Sequence, residues 1–356
     1  MQPFSCIIHL NWSSMFSRKF VTALTLSFSV LLSACASETA ATPDSSSSSI
    51  DEQGAITLYS GRSEDLISPL LDVFTAETGI TVNVRYGDSS EMAATILEEG
   101  DNTKADVFLS QDAGALGAVS GQGKTFTLPQ EVLDLVPAKY RAQDGSWVGV
   151  SGRARVLAYN PDQVTDLPKS VFDLADPGWK GRIAIAPTNA SFQSFVTGMR
   201  VTEGDEKTAA FLSAMKDNAV LYEKNGQILD AVESGDVAAG LLNHYYWFEK
   251  AAEIGPENMN SKMTWFSDGD AGNLVNVSGV SLLSENPDAL VFASWLLGET
   301  AQKYFLEKTF EYSLTSDVSP DPTLPKLSEI NSPEIDLSDL ATLEQTLELL
   351  SQAGLI

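Results

Sequence analysis

Ile56-Thr57-Leu58-Tyr59, Ile80 to Tyr86 and Ala105-Asp106-Val107-Phe108-Leu109 are apolar runs, and what separates them decides the fold. Ser63 suits an N-cap, and Leu66, Ile67, Leu70, Leu71 and Phe74 follow at helical spacing until Gly79. A second helix is expected from about Ser90 to Glu99, ended by Gly100, and Gln111-Asp112 sits at the C-terminal end of the third run. Strand-helix-strand-helix-strand is the order of a parallel, doubly wound α/β sheet. Ligands of such sheets bind beyond the carboxyl ends of the strands.

Towards the C-terminus the alternation continues. Trp147 to Gly152 and Ala154 to Tyr159 read as a long extended region broken around Gly152-Arg153. Arg182 to Ala186 reads as a short strand, followed by Pro187-Thr188-Asn189-Ala190-Ser191 and a helix. Ala219 to Leu221, Ala238 to Leu242 and Met263 to Phe266 are further strands, and Leu274 to Leu283 is a second long one. Two long strands far apart in the chain are what a two-lobed protein needs to cross between lobes and return. Near the end, Leu340, Leu343, Leu347 and Leu350 share one helical face over Asp339 to Gln352.

Towards the N-terminus the chain is of another kind. Arg18 and Lys19 precede an apolar run from Phe20 to Leu32, which ends in Leu32-Ser33-Ala34-Cys35. A basic stretch, a short apolar stretch and small residues form an export signal, too short for a comfortable membrane span. Met15 is a plausible true start. Residues 36–54, with an unbroken serine run from Ser45 to Ser49, suit a tether rather than a packed core.

Composition narrows the function. The 356 residues are 43% hydrophobic, enough for two α/β lobes. The formal charge of −26 makes nucleic-acid binding an unsuitable role. Cysteines occur only at 6 and 35, so neither a disulfide nor a thiolate metal site is expected in a processed chain. His244 is the one histidine beyond the signal, which speaks against a His-rich zinc or copper centre and against a Ser-His-Asp triad. Neither a phosphate-loop nor a Gly-x-Ser-x-Gly motif is present, so an enzyme is not expected.

The stretch with distinctive chemistry is Asn243-His244-Tyr245-Tyr246-Trp247-Phe248, which follows the strand at Ala238 to Leu242. Adjacent side chains alternate on a strand and diverge on a helix, so two tyrosines converge most easily at the bend between the two. Paired phenolic oxygens are hard donors and, once deprotonated, suit ferric iron. An aromatic cluster filling a core is the competing reading.

Taken together, Ile56-Thr57-Leu58-Tyr59-Ser60-Gly61, Ala105-Asp106-Val107-Phe108, Ser151-Gly152-Arg153-Ala154-Arg155-Val156, Trp179-Lys180-Gly181 and Asn243-His244-Tyr245-Tyr246-Trp247 resemble the ferric-iron-binding solute receptors of bacterial ABC importers. The resemblance covers about residues 55–356. It implies a type II periplasmic-binding-protein fold, with two doubly wound α/β lobes joined by a two-strand hinge. The first lobe would comprise residues 55–152 and 276–326, and the second residues 153–275 and 327–356. Within the lipoprotein signal of residues 1–35, Leu32-Ser33-Ala34-Cys35 resembles a bacterial lipobox, which implies cleavage before Cys35 and lipidation of that cysteine, so that the chain would sit lipid-anchored on the extracytoplasmic face of the cell membrane, periplasmic or extracellular.

The family's paired tyrosines fall on Tyr245 and Tyr246, which the resemblance makes ligands of Fe³⁺. Where members often carry a His after the first strand this chain has Ser63, and where they often carry a Glu after the third it has Gln111. Their neighbours Glu64 and Asp112 are candidate replacements. One branch adds a tyrosine where this chain has Phe192. A synergistic anion such as phosphate or carbonate would fall on Asn189, Ala190, Ser191, Asn225 and Asn243. A helix N-terminus at residues 188–191 and the side-chain amides suit an anion independently. Arg62 and Arg153 are cations that could pair with an anion or with a carboxylate across the cleft. The implied partners are an ABC permease and free or chelated iron, and a monomer is expected. The alternative is a receptor of the same fold for another small solute, such as an oxyanion, a polyamine or a sugar phosphate.

Overall fold

A computed structural model describes residues 54–316 and 318–356. The export signal, Cys35 and all but the last residue of the tether lie outside them.

In chain order the first elements are β1 (Ala55–Ser60), α1 (Glu64–Thr78), β2 (Thr81–Tyr86), α2 (Ser89–Glu99), β3 (Val107–Ser110) and α3 (Ala113–Ser120). Then come α4 (Gln130–Leu133), β4 (Val148–Tyr159), β5 (Ile183–Ile185), α5 (Ala190–Glu203), α6 (Asp205–Asn218) and β6 (Ala219–Leu221). They are followed by α7 (Asn225–Ser234), β7 (Ala239–Asn243), α8 (Tyr245–Ile254), β8 (Lys262–Thr264) and β9 (Val275–Leu282). The last are α9 (Pro287–Leu296), α10 (Glu299–Lys308), β10 (Tyr312–Ser313) and α11 (Leu343–Gln352).

The expected alternation is present, and its strands form two parallel sets. β1 pairs in parallel with β2 and β3, and β5 with β6 and β7. β9 joins the first set antiparallel to β3, and β4 joins the second antiparallel to β7. The path β2-β1-β3-β9-β4-β7-β5-β6 is therefore one mixed, curled sheet with a doubly wound half at each end. This is the type II periplasmic-binding-protein fold.

β4 makes the crossing. Its residues 148–154 pair with β9, and residues 155–159 pair with β7 and β8. The break expected at Gly152-Arg153 is absent, because both residues stay paired, opposite Val277 and Asn276. The irregularity lies earlier, between Gly149 and Ser151.

Each half has its own core. Leu58, Phe74, Phe108, Trp147 and Phe292 pack in the first, where Phe74 meets Phe292 edge-on at 5.0 Å. Phe192, Phe195, Phe211, Met215 and Leu241 pack in the second, and Ile228, Val232 and Leu242 form a third cluster on its other face. Each such side chain contributes about 1.5–3 kcal/mol by leaving water. The tail divides later than residue 327. Leu327, Ile330, Leu337 and Leu340 join the first core, Ile335 packs against both, and Leu349, Leu350, Ala353 and Leu355 reach the second. The tail helix is split for the same reason. Leu340 sits in a short 3-10 turn against α3, where Leu340 O would lie 2.7 Å from a Cβ on Gly114. α11 begins after that contact and buries Thr346 and Leu350 instead.

Two glycines bring functional segments together. A Cβ on Gly61 would lie 2.1 Å from Ser89 Oγ, so the turn after β1 closes on the start of α2. A Cβ on Gly240 would lie 2.2 Å from Ile228, so α7 packs directly on β7.

Candidate functional site

β7 ends at Asn243, and the chain passes through His244 into α8 without a loop. Tyr245 and Tyr246 are therefore the first residues of the helix, at the strand-to-helix bend expected of them. Their rings stack at 4.4 Å between centroids, 28° apart. Both are partly exposed, unlike His244 and Phe248 on either side, and Tyr246 packs its ring against the third cluster.

His244 is scaffold. Its Nδ1 accepts from Ala154 N at 3.2 Å and its Nε2 faces Phe310 O at 2.8 Å, so the partners assign the proton to Nε2. Burial pulls its pKa down to about 4, which keeps the ring neutral. Burial also drives the Tyr245 phenol well above its ordinary range, with Tyr246 and Glu311 adding to the rise and Arg153 opposing it. Tyr245 is thus a neutral phenol at ordinary pH.

Three guanidiniums surround the pair. Arg62, Arg153 and Arg155 are 4%, 2% and 2% exposed, and Arg62 and Arg155 lie in electrostatic range of both tyrosines. Arg62 pairs with Glu311 at 2.9 Å. Arg153 donates to the Gln111 carbonyl, and among the described residues neither its Nε nor its Nη1 has a partner. Arg155 donates to Ser191 Oγ at 3.3 Å and Leu241 O at 3.1 Å, and lies over the rings of Phe192 and Phe195. Burial lowers its pKa to about 9, still above neutrality. Among the described residues Arg155 has no carboxylate within ion-pair distance.

The five expected anion-site residues stand at three neighbouring element ends. Asn189 caps α5, its Oδ1 accepting from Ser191 N at 3.0 Å and Ser191 Oγ at 2.6 Å. Ala190 is the first residue of that helix. Asn225, the first of α7, donates to Ser191 Oγ at 3.0 Å, while its Oδ1 has no partner among the described residues. Asn243 closes a cavity of about 10 Å³ with Arg153, Arg155, Ser191 and Asn276, room for about one water. A larger groove of about 730 Å³ runs between residues 134–141 and 313–316, and no expected site residue lines it.

The candidates in the first half are used differently. Ser63 and Glu64 are exposed at the start of α1, and the Ser63 side chain makes no capping bond. Glu64 acts electrostatically on Tyr86. Gln111 engages through its main chain, its N–H donating to Ser89 Oγ at 2.8 Å and its carbonyl accepting from Arg153. Asp112 is buried and caps α3, accepting from Ala115 N at 3.1 Å, and burial raises its pKa. Arg155 and Glu311 were not among the expected site residues. Their signals were two arginines on one face of an apolar strand and a lone acid between Phe310 and Tyr312.

Two doubly wound halves, a crossing strand and polar side chains gathered at facing strand ends define a solute receptor. The chain belongs to the family of bacterial extracellular solute-binding proteins, whose model matches residues 102–336. It is 34% identical over 311 residues to the Fe(3+)-binding periplasmic protein of Serratia marcescens, covering 86% of this chain and 91% of that one. It is 32% identical over 307 residues to the major ferric iron-binding protein of Neisseria meningitidis serogroup B, covering 84% and 93%. The structure superposes on iron-bound HitA from Pseudomonas aeruginosa with a TM-score of 0.79 at 33% identity, covering 85% and 99%. On Trichodesmium IdiA (FutA) with iron and citrate the TM-score is 0.73 at 28% identity, covering 85% and 99%. Among the described residues no helix is long and apolar enough to cross a membrane.

Proposed function

We propose that this chain is an extracytoplasmic receptor that captures ferric iron through Tyr245 and Tyr246 and delivers it to the permease of an ABC importer. The observation that carries this reading is the stacked, partly exposed tyrosine pair at the end of β7, ringed by buried arginines. The ferric relatives support it. Phenols give up their protons to a bound trivalent cation, and binding therefore releases protons. Arg153, which opposes the rise at Tyr245, compensates phenolate charge.

The two phenolates leave iron short of charge and of oxygens. An anion at Asn189, Ala190, Ser191, Asn225 and Asn243 would supply both, with Arg155 as its cation. In the structure Asn189 Oδ1 is the acceptor for the Ser191 donors, and the anion would take its place. We assign the halves on either side of the β4 crossing as the lobes that close on the metal. Cys35 is the proposed lipidated N-terminus, and mass spectrometry of the native protein is expected to show a lipid-modified cysteine there. An unmodified N-terminus would overturn the anchor and leave the iron site untouched.

The test of the main reading is colour. The protein mixed with ferric citrate is expected to turn yellow to red through phenolate-to-iron charge transfer, and a colourless mixture overturns it. The three buried arginines favour one alternative, an oxyanion receptor. Tight phosphate binding with no colour would establish it.

A further inference from the structure

Between α10 and β10 lies a short strap, Thr309-Phe310-Glu311, with an unusual backbone. Phe310 has φ 52°, the one positive value at a non-glycine among the described residues. Side-chain-bearing residues avoid that region unless their surroundings impose it, and such residues cluster at functional sites.

The surroundings are specific. The Phe310 carbonyl accepts from His244 Nε2 at 2.8 Å, directly before the tyrosine pair. The Phe310 ring stacks on Phe248, 5.9 Å away, on the first turn of the same helix. The next residue reaches elsewhere. Glu311 is 1% exposed, and its carboxylate accepts from Arg62 Nη1 at 2.9 Å and Ser151 Oγ at 2.6 Å. Arg62 also donates to Ser278 Oγ at 2.5 Å. Successive residues of one strap therefore hold α8 and the arginine that follows β1.

We propose that Phe310 and Glu311 are positioning residues of the iron site: the first seats the tyrosine helix, and the second fixes and neutralises Arg62 beside it. This rests on the reading that Tyr245 and Tyr246 bind iron. An uncompensated guanidinium there would repel a trivalent cation and attract anions. Glu311 cancels that charge without touching the metal, and the left-handed turn at Phe310 lets neighbouring residues serve opposite sides of the site.

The test compares Glu311→Gln with the double variant Arg62→Gln/Glu311→Gln in the full chain. Folding is checked by circular dichroism, and iron is titrated with and without phosphate. Glu311→Gln is expected to bind iron about tenfold more weakly. It is also expected to shift the visible band and to depend more on phosphate. The double variant, with no net charge left behind, is expected to recover most of the lost affinity. A purely structural role would make the double variant as weak as the single one or weaker, and that result overturns the proposal, as does a folded Glu311→Gln that matches the wild type. Should Glu311→Gln not fold, Ser151→Ala is read for the same changes at smaller size, and their absence there overturns it. Tyr245→Phe/Tyr246→Phe is run in parallel. A ferric band that survives in it overturns the tyrosine reading rather than this one.

Discussion

The strand ends of the two halves spend their polar groups differently. In the second half, Tyr245, Tyr246, Asn225 and Asn243 stand where strand gives way to helix, and Asn225 Oδ1 has no partner among the described residues. In the first half the equivalent groups serve the scaffold. Asp112 caps α3, Arg62 is tied to Glu311, and Ser63 and Glu64 face solvent. A polar residue at a strand end is thus not by itself a donor to solute. What distinguishes the halves is whether its hydrogen bonds are already made, since a buried group that has a partner gains little from a second one.

The proposed function follows this asymmetry, so breaking the second half is expected to matter most. Tyr245→Phe/Tyr246→Phe removes two oxygens and keeps the rings. It is expected to abolish the visible band and lower iron affinity beyond the ~100-fold that loss of an outer-shell partner costs. The melting temperature is expected to stay close to wild type, and a double variant that binds iron normally would place the site elsewhere.

Next in size is the anion. Iron affinity is expected to fall in buffer depleted of phosphate and carbonate and to recover when either is added. Ser191→Ala/Asn225→Ala and, separately, Arg155→Gln are expected to remove that recovery, measured by competition with a chelator. Affinity that ignores the anion would instead point to a first-half donor.

Asp112 sharpens the contrast from the other side. As a cap it is expected to tolerate Asn, whereas Asp112→Ala is expected to cost about 1 kcal/mol of stability in urea unfolding. Neither change is expected to alter iron affinity. Loss of affinity in Asp112→Asn would make Asp112 a ligand and erase the asymmetry. The smallest effect is expected of Glu64→Gln, an exposed acid whose loss leaves both the iron titration and the unfolding curve in place.

Much of this was legible in the chain. The strand-helix order, the two long strands and the placing of Tyr245-Tyr246 at a bend depend on local periodicity and on residues a few positions apart, and such relations survive in a one-dimensional record. Sequence by itself determined the fold class and singled out the tyrosine pair as the candidate for metal chemistry. Only the tertiary structure decided that β4 runs unbroken, because its continuity depends on the pairing of Gly152 and Arg153 with β9. Only it showed that the tail stays with the first core as far as Leu340. It also decided that among the described residues Arg155 has no carboxylate partner while Arg62 has Glu311, a residue 249 positions away in sequence. The reason is common to all three: a charge or an apolar side chain acquires its role from what lies within a few ångströms of it, and those neighbours come from distant parts of the chain.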